Sequence, residues 1–283
     1  MNKITKAIIL TAGYGTRRLP ITKTIEKNML PLGDRPIIDY VVEECALAGM
    51  TDIWLVVNDV ANSQIKQYYE PNRELEQYLT ERNATEKLAK LNTVPEGVRL
   101  HYVEQDINDK YGTAVPVALA LAEIGADEQV VLCNGDDPFW GARGGSDVKT
   151  MIEAVQSPNE SVTLGYQVPP DEIYKYGIWQ VEGDFAAKII EKPAVGTVGS
   201  ALANINRVVI SPQLAQTITA YVRDNNFGPN EQEYMLTDCY ETYIKGGGVM
   251  RYVKNTGEWL DCGSLAGWLR ANNVVAGDLL NNK

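Results

Sequence analysis

A glycine-containing segment followed by cations is the part of this sequence with the clearest chemical potential. The run IILTAGYGTRRLP occupies residues 8–20, so an apolar stretch leads directly into Gly13 and Gly15. A strand that ends in small residues can present backbone N–H groups to phosphate oxygens, and glycine lets the backbone approach the ligand closely. Basic side chains follow at Arg17, Arg18, Lys23 and Lys27. This combination predicts a ligand with several negative charges, such as a nucleoside triphosphate.

The spacing of the loop excludes two better-known glycine motifs. The segment lacks the GxxxxGK[ST] pattern of a P-loop. It begins like the dinucleotide fingerprint, but the third glycine of that motif would fall at Arg18. A bulky cation there prevents close packing of helix on strand, so we do not expect a hydride-transfer Rossmann site.

Charge and histidine content narrow the chemistry further. The 26 cations and 37 anions give a net charge of −11, which is unsuited to general binding of nucleic acid. Attraction of a polyanion must therefore be local, with help from a metal ion. The single histidine, His101, has no second imidazole for a metal site or a catalytic relay, so we expect it to be structural.

Length and composition indicate a globular protein of the cytoplasm. The 283 residues are 45% hydrophobic and 22% charged, and no apolar run is long enough to cross a bilayer. The first residues lack the layout of a signal peptide, and the cysteines at 45, 133, 239 and 262 form no CxxC pair. We therefore expect reduced thiols, a cytoplasmic location and no membrane partner.

Acidic and mixed-charge motifs appear where predicted strands end. Asp136 and Asp137 follow the apolar run 129–133, where a carboxylate can bind Mg²⁺ or simply cap a turn. Glu191 and Lys192 precede Pro193 and fit either a ligand site or a surface ion pair. Asp261 stands within the run WLDCG.

The elements that must position these residues alternate along the first half of the chain. Apolar runs predict strands at 6–11, 53–57, 98–103 and 129–133, with helices at 36–48 and 113–124. The second half predicts strands at 161–168, 177–181, 187–191, 203–210 and 250–253, and helices at 212–223, 233–244 and 265–276. We expect an α/β fold: a Rossmann-like, mostly parallel central sheet with helices on both faces and a smaller β-containing portion. The polar segment 68–95 fits surface helices over a sheet edge, with a subunit contact as the alternative.

Several of these motifs together resemble the signature of sugar-1-phosphate nucleotidyltransferases. They are AGYGTR at 12–17, LP at 19–20, TK at 22–23 and KNMLP at 27–31. The similarity covers nearly the whole chain and is greatest to the bacterial UTP–glucose-1-phosphate uridylyltransferase group. It implies a single nucleotidyltransferase domain over 1–283, with a nucleotide-binding half at about 1–140, a sugar-binding half at about 141–263 and a C-terminal helix at about 264–283.

The resemblance also implies a role for each candidate site residue. The expected nucleotide-binding residues are Ala12, Gly13, Gly15, Thr16, Gln105 and Gly112. The Gln105 amide can both donate and accept, as reading a pyrimidine edge requires. Arg17 and Lys27 would bind the triphosphate and Lys192 the sugar phosphate, as the catalytic cations. Gly177, Glu191, Lys192 and Asn204 would contact the sugar. Asp136 and Asp261 would together bind Mg²⁺, with Asp137 the less favoured ligand.

The implied reaction joins UTP and glucose 1-phosphate into UDP-glucose and pyrophosphate with Mg²⁺, in a homodimer or homotetramer. Three departures from the family pattern leave the base and the sugar open: Lys110 replaces a glycine, Asn28 replaces an acidic residue, and Asn206–Arg207 replaces Gly-Arg. The alternatives are a thymidylyl- or other nucleotidyltransferase acting on a different sugar 1-phosphate, or a non-catalytic nucleotide-sugar sensor on the same fold.

Overall fold

The structure, a computed structural model, describes residues 3–106, 109–125, 127–228 and 231–281. Its strands are β1 (Lys6–Leu10), β2 (Pro31–Leu32), β3 (Arg35–Pro36), β4 (Asp52–Val57), β5 (Arg99–Glu104), β6 (Val130–Asn134), β7 (Phe139–Trp140), β8 (Glu160–Gln167), β9 (Gly177–Glu182), β10 (Phe185–Glu191), β11 (Leu202–Ile210), β12 (Val249–Lys254) and β13 (Glu258–Trp259). Its α-helices are α1 (Ile37–Leu47), α2 (Gln64–Tyr69), α3 (Arg73–Thr80), α4 (Thr85–Ala89), α5 (Ala114–Ile124), α6 (Asp147–Glu153), α7 (Pro212–Asp224), α8 (Leu236–Lys245) and α9 (Leu265–Asn281).

A nine-stranded sheet in the order β5-β4-β1-β6-β11-β8-β12-β10-β9 organises the molecule. The strands β5, β4, β1 and β6 are parallel, as is the pair β8 and β12. Strand β11 runs antiparallel to β6, β8 and β9, and β10 runs antiparallel to β9 and β12. Parallel neighbours need a long crossover, whereas the short β9–β10 connection forces an antiparallel pair. The expectation of a mostly parallel sheet thus holds for the first half, and the whole sheet is mixed.

Helices cover both faces of this sheet, which confirms the α/β architecture. Side chains alternate along a strand, so Ile9 of β1 faces one layer of helices and Ile8 faces the other. Ile9 belongs to a core with residues of α1, α2 and α6. Ile8 belongs to a second core with residues of α5, α7 and α8.

The parallel strands bring the predicted site segments to one edge. Beyond their carboxyl ends, Thr11 donates its backbone N–H to Val56 at 3.1 Å, and Gly135 donates to Leu10 at 2.9 Å. Gln105 donates its backbone N–H to Val57 at 2.9 Å. Because ligands of open α/β sheets bind beyond these strand ends, the hydrogen bonds fix the loops that can form a site.

The last helix closes the molecule over a third, smaller core. Leu30, Ile37, Leu260 and Val275 are buried there, and α9 supplies the last of them. The Trp268 indole N–H donates to the Pro31 carbonyl at 2.8 Å. Helix α9 is therefore fixed to the segment that follows Lys27.

Some boundaries differ from the sequence predictions. The helix expected at 233–244 begins at Leu236, because the backbone of Tyr234 bonds to Tyr111 and Ala114 in an extended arrangement. Helices α3 and α4 lie within the polar segment 68–95 and are largely exposed, with Leu79 buried. Among the described residues, no helix combines the length and the apolar character needed to cross a membrane.

Candidate active site

A cavity of about 150 Å³ lies beyond the carboxyl ends of β1, β4, β5 and β6. Six of the predicted site residues line it. Four are predicted to bind the nucleotide, Lys27 is a predicted catalytic cation and Asp136 a predicted metal ligand; the four are Ala12, Gly13, Gln105 and Gly112. It is also lined by residues that the sequence did not single out for this pocket: Leu10, Asn58, Tyr111, Thr113, Pro116, Asn134 and Glu233. The structure therefore brings the glycine loop, the glutamine and the first aspartate to one place.

The two loop glycines occupy conformations that other residues rarely adopt. Gly13 has φ 118° and Gly15 has φ 61°. A Cβ on Gly15 would stand 2.9 Å from the Cβ of Lys27, so this glycine lets the lysine pack against the loop. The Gly13 N–H donates to Asn58 Oδ1 at 2.8 Å. The Gly13 N–H is therefore bonded within the protein and is not free for a phosphate oxygen, and no local pattern in the sequence indicates its contact with Asn58.

The opposite side of the cavity is formed around Gln105 and Gly112. Gln105 is only 5% exposed, so its amide is shielded from bulk water. A Cβ on Gly112 would lie 2.4 Å from the backbone of Tyr234, so only glycine permits this approach. The Lys110 ammonium donates to the carbonyl groups of Val222 and Asn225 at the end of α7. This lysine therefore binds the C-terminal end of a helix, where a cation is favourable.

The two aspartates predicted to bind metal converge from distant parts of the chain. Asp261 Oδ1 lies 3.1 Å, and Asp136 Oδ2 3.7 Å, from the position that a Cβ on Gly263 would take. Because Gly263 has no side chain, space remains between the two carboxylates. The Lys27 ammonium donates to Asp136 Oδ2 at 2.7 Å. Burial acts to raise the pKa of Asp136, but the positive charges of Lys27 and Arg18 outweigh it and hold this pKa below its usual value.

Asp137 faces away from this pair into a buried ionic cluster. The fully buried Arg207 donates to Asp137 Oδ1 at 3.1 Å and to Glu44 Oε2 at 3.2 Å. Burial raises the pKa of Asp137 to about 7 against the opposing effect of Arg207. Asn206 has φ 49°, a left-handed conformation that glycine adopts most readily and asparagine tolerates.

The predicted sugar-side residues lie on neighbouring strands. Gly177 begins β9, Glu191 ends β10 and Asn204 lies on β11. Glu191 Oε2 would be 3.0 Å from a Cβ on Gly177, so the glycine makes room for the carboxylate. Lys192 has φ 42°, a strained conformation that is further disfavoured before proline. Its backbone N–H donates to the Tyr176 carbonyl at 3.0 Å, which holds this conformation.

A second cavity, of about 550 Å³, brings Arg17, Lys192 and Asp261 together. The rings of Tyr176 and Trp259 meet edge to face on its wall, with centroids 5.6 Å apart. Arg17 and Lys192 are both exposed, so their charges can reach an anionic ligand. Gly15 and Thr16 belong to the turn that orients Arg17. Gly15 is the N-cap of the short helix Thr16–Arg18, which Thr16 begins.

His101 lies at the sheet edge in a structural role. Its ring stacks on Trp54 at 4.3 Å, and its Nε2 is 3.0 Å from Asp52 Oδ1. These contacts pack and orient the ring at the sheet edge. The four cysteines are free and buried, with the Sγ atoms of Cys45 and Cys133 3.9 Å apart.

The sequence of this protein is similar to those of known proteins. The sequence profile of the nucleotidyl transferase family matches residues 6–277. A Staphylococcus saprophyticus protein named UTP–glucose-1-phosphate uridylyltransferase 2 is 33% identical over 275 residues, which are 95% of this chain and 91% of that protein. A Bacillus subtilis UTP–glucose-1-phosphate uridylyltransferase is 32% identical over 251 residues, covering 85% of this chain and 80% of its own.

Solved structures show the same likeness. A UTP-bound UGPase from Acinetobacter baumannii superposes with a TM-score of 0.84 at 29% identity, covering 96% of this chain and 93% of its own. A UDP-glucose pyrophosphorylase complexed with UDP-glucose gives a TM-score of 0.79 at 28% identity, with 98% and 100% covered. Since the family profile matches residues 6–277 and a relative that is 33% identical covers 95% of the chain, the protein belongs to the nucleotidyl transferase family.

Proposed function

We propose that this protein transfers the uridylyl group of UTP to glucose 1-phosphate, forming UDP-glucose and pyrophosphate. The observation that carries the proposal is the convergence of Lys27, Asp136 and Asp261 beside a cavity lined by Gln105. The choice of uridine and glucose is supported by the names of the relatives and by the UTP-bound and UDP-glucose-bound neighbours.

In this proposal Asp136 and Asp261 hold Mg²⁺. Two carboxylates completed by phosphate oxygens and water make the ligand set that this ion commonly uses, and the space left by Gly263 fits it. When bound, the ion would neutralise phosphate charge. Within the described residues no cluster of three or more His, Cys, Asp or Glu side chains has metal-binding geometry, so the remaining ligands would come from substrate and solvent.

The reaction needs no general base. A sugar phosphate has a second pKa near 6, so its phosphate group is largely dianionic at neutral pH. One of its oxygens can then attack the α-phosphorus directly. One O–P bond forms as the bond to the β-phosphate breaks, and pyrophosphate leaves with the electron pair. Lys192 would hold the attacking phosphate, while Arg17 and Lys27 would stabilise the leaving charge.

A substrate matrix tests the proposal. We expect pyrophosphate release, dependent on Mg²⁺, to be fastest with UTP and glucose 1-phosphate when four NTPs and dTTP are each combined with several sugar 1-phosphates. A maximum with dTTP would favour the thymidylyl alternative. The absence of release with every pair, together with binding of a nucleotide sugar, would favour a sensor.

We further propose that the protein acts in the cytoplasm as a homodimer or homotetramer, with residues 1–140 serving the nucleotide and 141–263 the sugar. Exposed apolar side chains on α9, including Leu265 and Leu269, support a subunit contact on that helix. Light scattering coupled to gel filtration would give the mass in solution. A monomeric mass at all concentrations would contradict the oligomer.

A further inference from the structure

Arg18, next to the predicted catalytic Arg17, has an unusual position for an arginine. It is only 5% exposed, and its guanidinium lies over the ring of Trp268 at 5.3 Å. The Nε and Nη2 atoms are buried and have no hydrogen-bond partner. Leaving such donors unbonded costs free energy, so the position calls for an explanation other than local stability.

A second buried arginine, which is bonded to Asp137, provides a contrast. Arg207 donates to Asp137, Glu44 and two backbone carbonyls, so its charge is matched by direct bonds. Burial lowers the pKa of Arg18, and the negative charges of Asp136 and Asp261 oppose this effect through space. An arginine nevertheless stays protonated at physiological pH. Arg18 therefore places a fixed positive charge near the carboxylates without bonding to them.

The charges at the carboxylate pair balance when no ligand is bound. Asp136 and Asp261 supply two negative charges, the Lys27 ammonium is 2.7 Å from one of them, and the charge of Arg18 interacts with both. A divalent cation that enters alone meets no net negative charge. A triphosphate adds negative oxygens and competes for the Lys27 ammonium, so its arrival reverses this balance.

We propose that Arg18, together with Lys27, acts as an internal counter-charge that prevents tight binding of a divalent cation to the free protein, so that the cation is held only with the nucleotide. This inference rests on the proposed function of Asp136 and Asp261. It makes Arg18 a positioning residue that couples metal binding to nucleotide binding. By linkage, each ligand then strengthens the binding of the other by the same factor.

The test titrates Mn²⁺ into the nucleotide-free protein and follows the free ion by electron paramagnetic resonance. Arg18→Met removes the charge and retains apolar bulk beneath Trp268. We expect it to bind Mn²⁺ more tightly than the wild type by about tenfold or more, because like-charge repulsion is lost. Arg18→Lys keeps the charge and should stay within about threefold of the wild type on the same grounds.

Two controls locate the effect. Lys87→Met removes an exposed cation on the surface helix α4 and should leave Mn²⁺ affinity unchanged, since solvent screens that charge. The double variant Arg18→Met/Asp261→Asn should lose the gained affinity. If the gain survives in the double variant, the ion binds elsewhere and the proposal is overturned.

The melting temperature separates this role from a purely structural one. Arg18→Met should melt at or above the wild-type temperature, because it removes unbonded buried donors. A lower melting temperature with unchanged Mn²⁺ affinity would mean that Arg18 only supports packing. Arg18→Gln, neutral and polar, repeats the test if the methionine variant fails to fold. If the wild-type enzyme makes UDP-glucose but Arg18→Met binds Mn²⁺ no more tightly than the wild type, this inference alone is overturned, whereas a lack of any nucleotidyl transfer by the wild type would overturn the proposed function.

Discussion

Two adjacent aspartates at the end of β6 have opposite environments. Asp136 faces the ligand cavity and Lys27, whereas Asp137 is bonded to the buried Arg207. Their order in the sequence alone does not distinguish them. The difference comes from the β11 strand, which places Arg207 behind the turn. We therefore expect one residue of the Gly-Asp-Asp sequence to serve the ligand and the other to serve the fold.

Removing either metal carboxylate should abolish turnover while leaving the chain folded. We expect Asp136→Asn and Asp261→Asn each to lower Mg²⁺-dependent pyrophosphate release by about a hundredfold or more, because charge stabilisation of the phosphates is lost. Circular dichroism should be unchanged. Asp127→Asn, at an exposed position, serves as the control. Near-normal rates in both variants would contradict the metal assignment.

Lys192 should act on the sugar phosphate rather than on the nucleotide. Lys192→Ala is expected to raise the KM for glucose 1-phosphate by roughly tenfold to a hundredfold, the value of a charged hydrogen bond, and to change the KM for UTP little. Steady-state kinetics with each substrate varied would measure this. Lys188→Ala removes an exposed lysine from β10, the strand that ends just before Lys192, and should behave as wild type. Equal losses for both substrates would argue against a sugar-side role.

At the scale of elements, the predicted strands and helices of the sheet begin and end close to those observed. The predicted strand 53–57 is Asp52–Val57, and the helix at 113–124 is Ala114–Ile124. Apolar periodicity identifies such segments because their side chains pack into the layers of one sheet. The sequence does not predict the two-residue strands β2, β3, β7 and β13, because two residues are too few to show an alternation of apolar and polar side chains. The contacts of Asn58 and Arg207 link residues 45 and more apart, so local sequence gives no signal for them.

The turn between β5 and α5 depends on a glycine against another backbone. Gly112→Ala should destabilise the protein by roughly 2–5 kcal/mol, since positive φ strain adds to the clash with Tyr234. Gly97→Ala is the matched control, because Gly97 also has positive φ but open space around it; it should cost roughly 1 kcal/mol. Urea unfolding would measure both. Equal costs would show that the approach of Tyr234 is not the cause.

At the scale of the whole molecule, acid unfolding should depend on the sheet edge formed by β4 and β5. The Arg99 hydrogen bonds, helped by His101, lower the pKa of Asp52 to about 2. A carboxyl whose folded pKa lies below its unfolded value stabilises the fold above that unfolded value. This stabilisation is lost as the pH falls from about 4 towards 2.

Melting temperatures between pH 2 and 5 would test this. We expect the wild type to lose stability more steeply than Asp52→Asn over that interval, because the variant has no carboxyl to protonate. Glu96→Gln, at an exposed position, should follow the wild type. Parallel curves for the wild type and Asp52→Asn would contradict the assignment.

The attachment of α9 to the Pro31 carbonyl also has a consequence for the order of folding. Lys27 and Asp136 are 109 residues apart, and Asp261 lies just before α9. The proposed pair of carboxylates can therefore meet only after the segment that carries α9 has docked beside Lys27. A chain whose α9 is detached should keep most of its sheet but hold Asp261 away from Asp136.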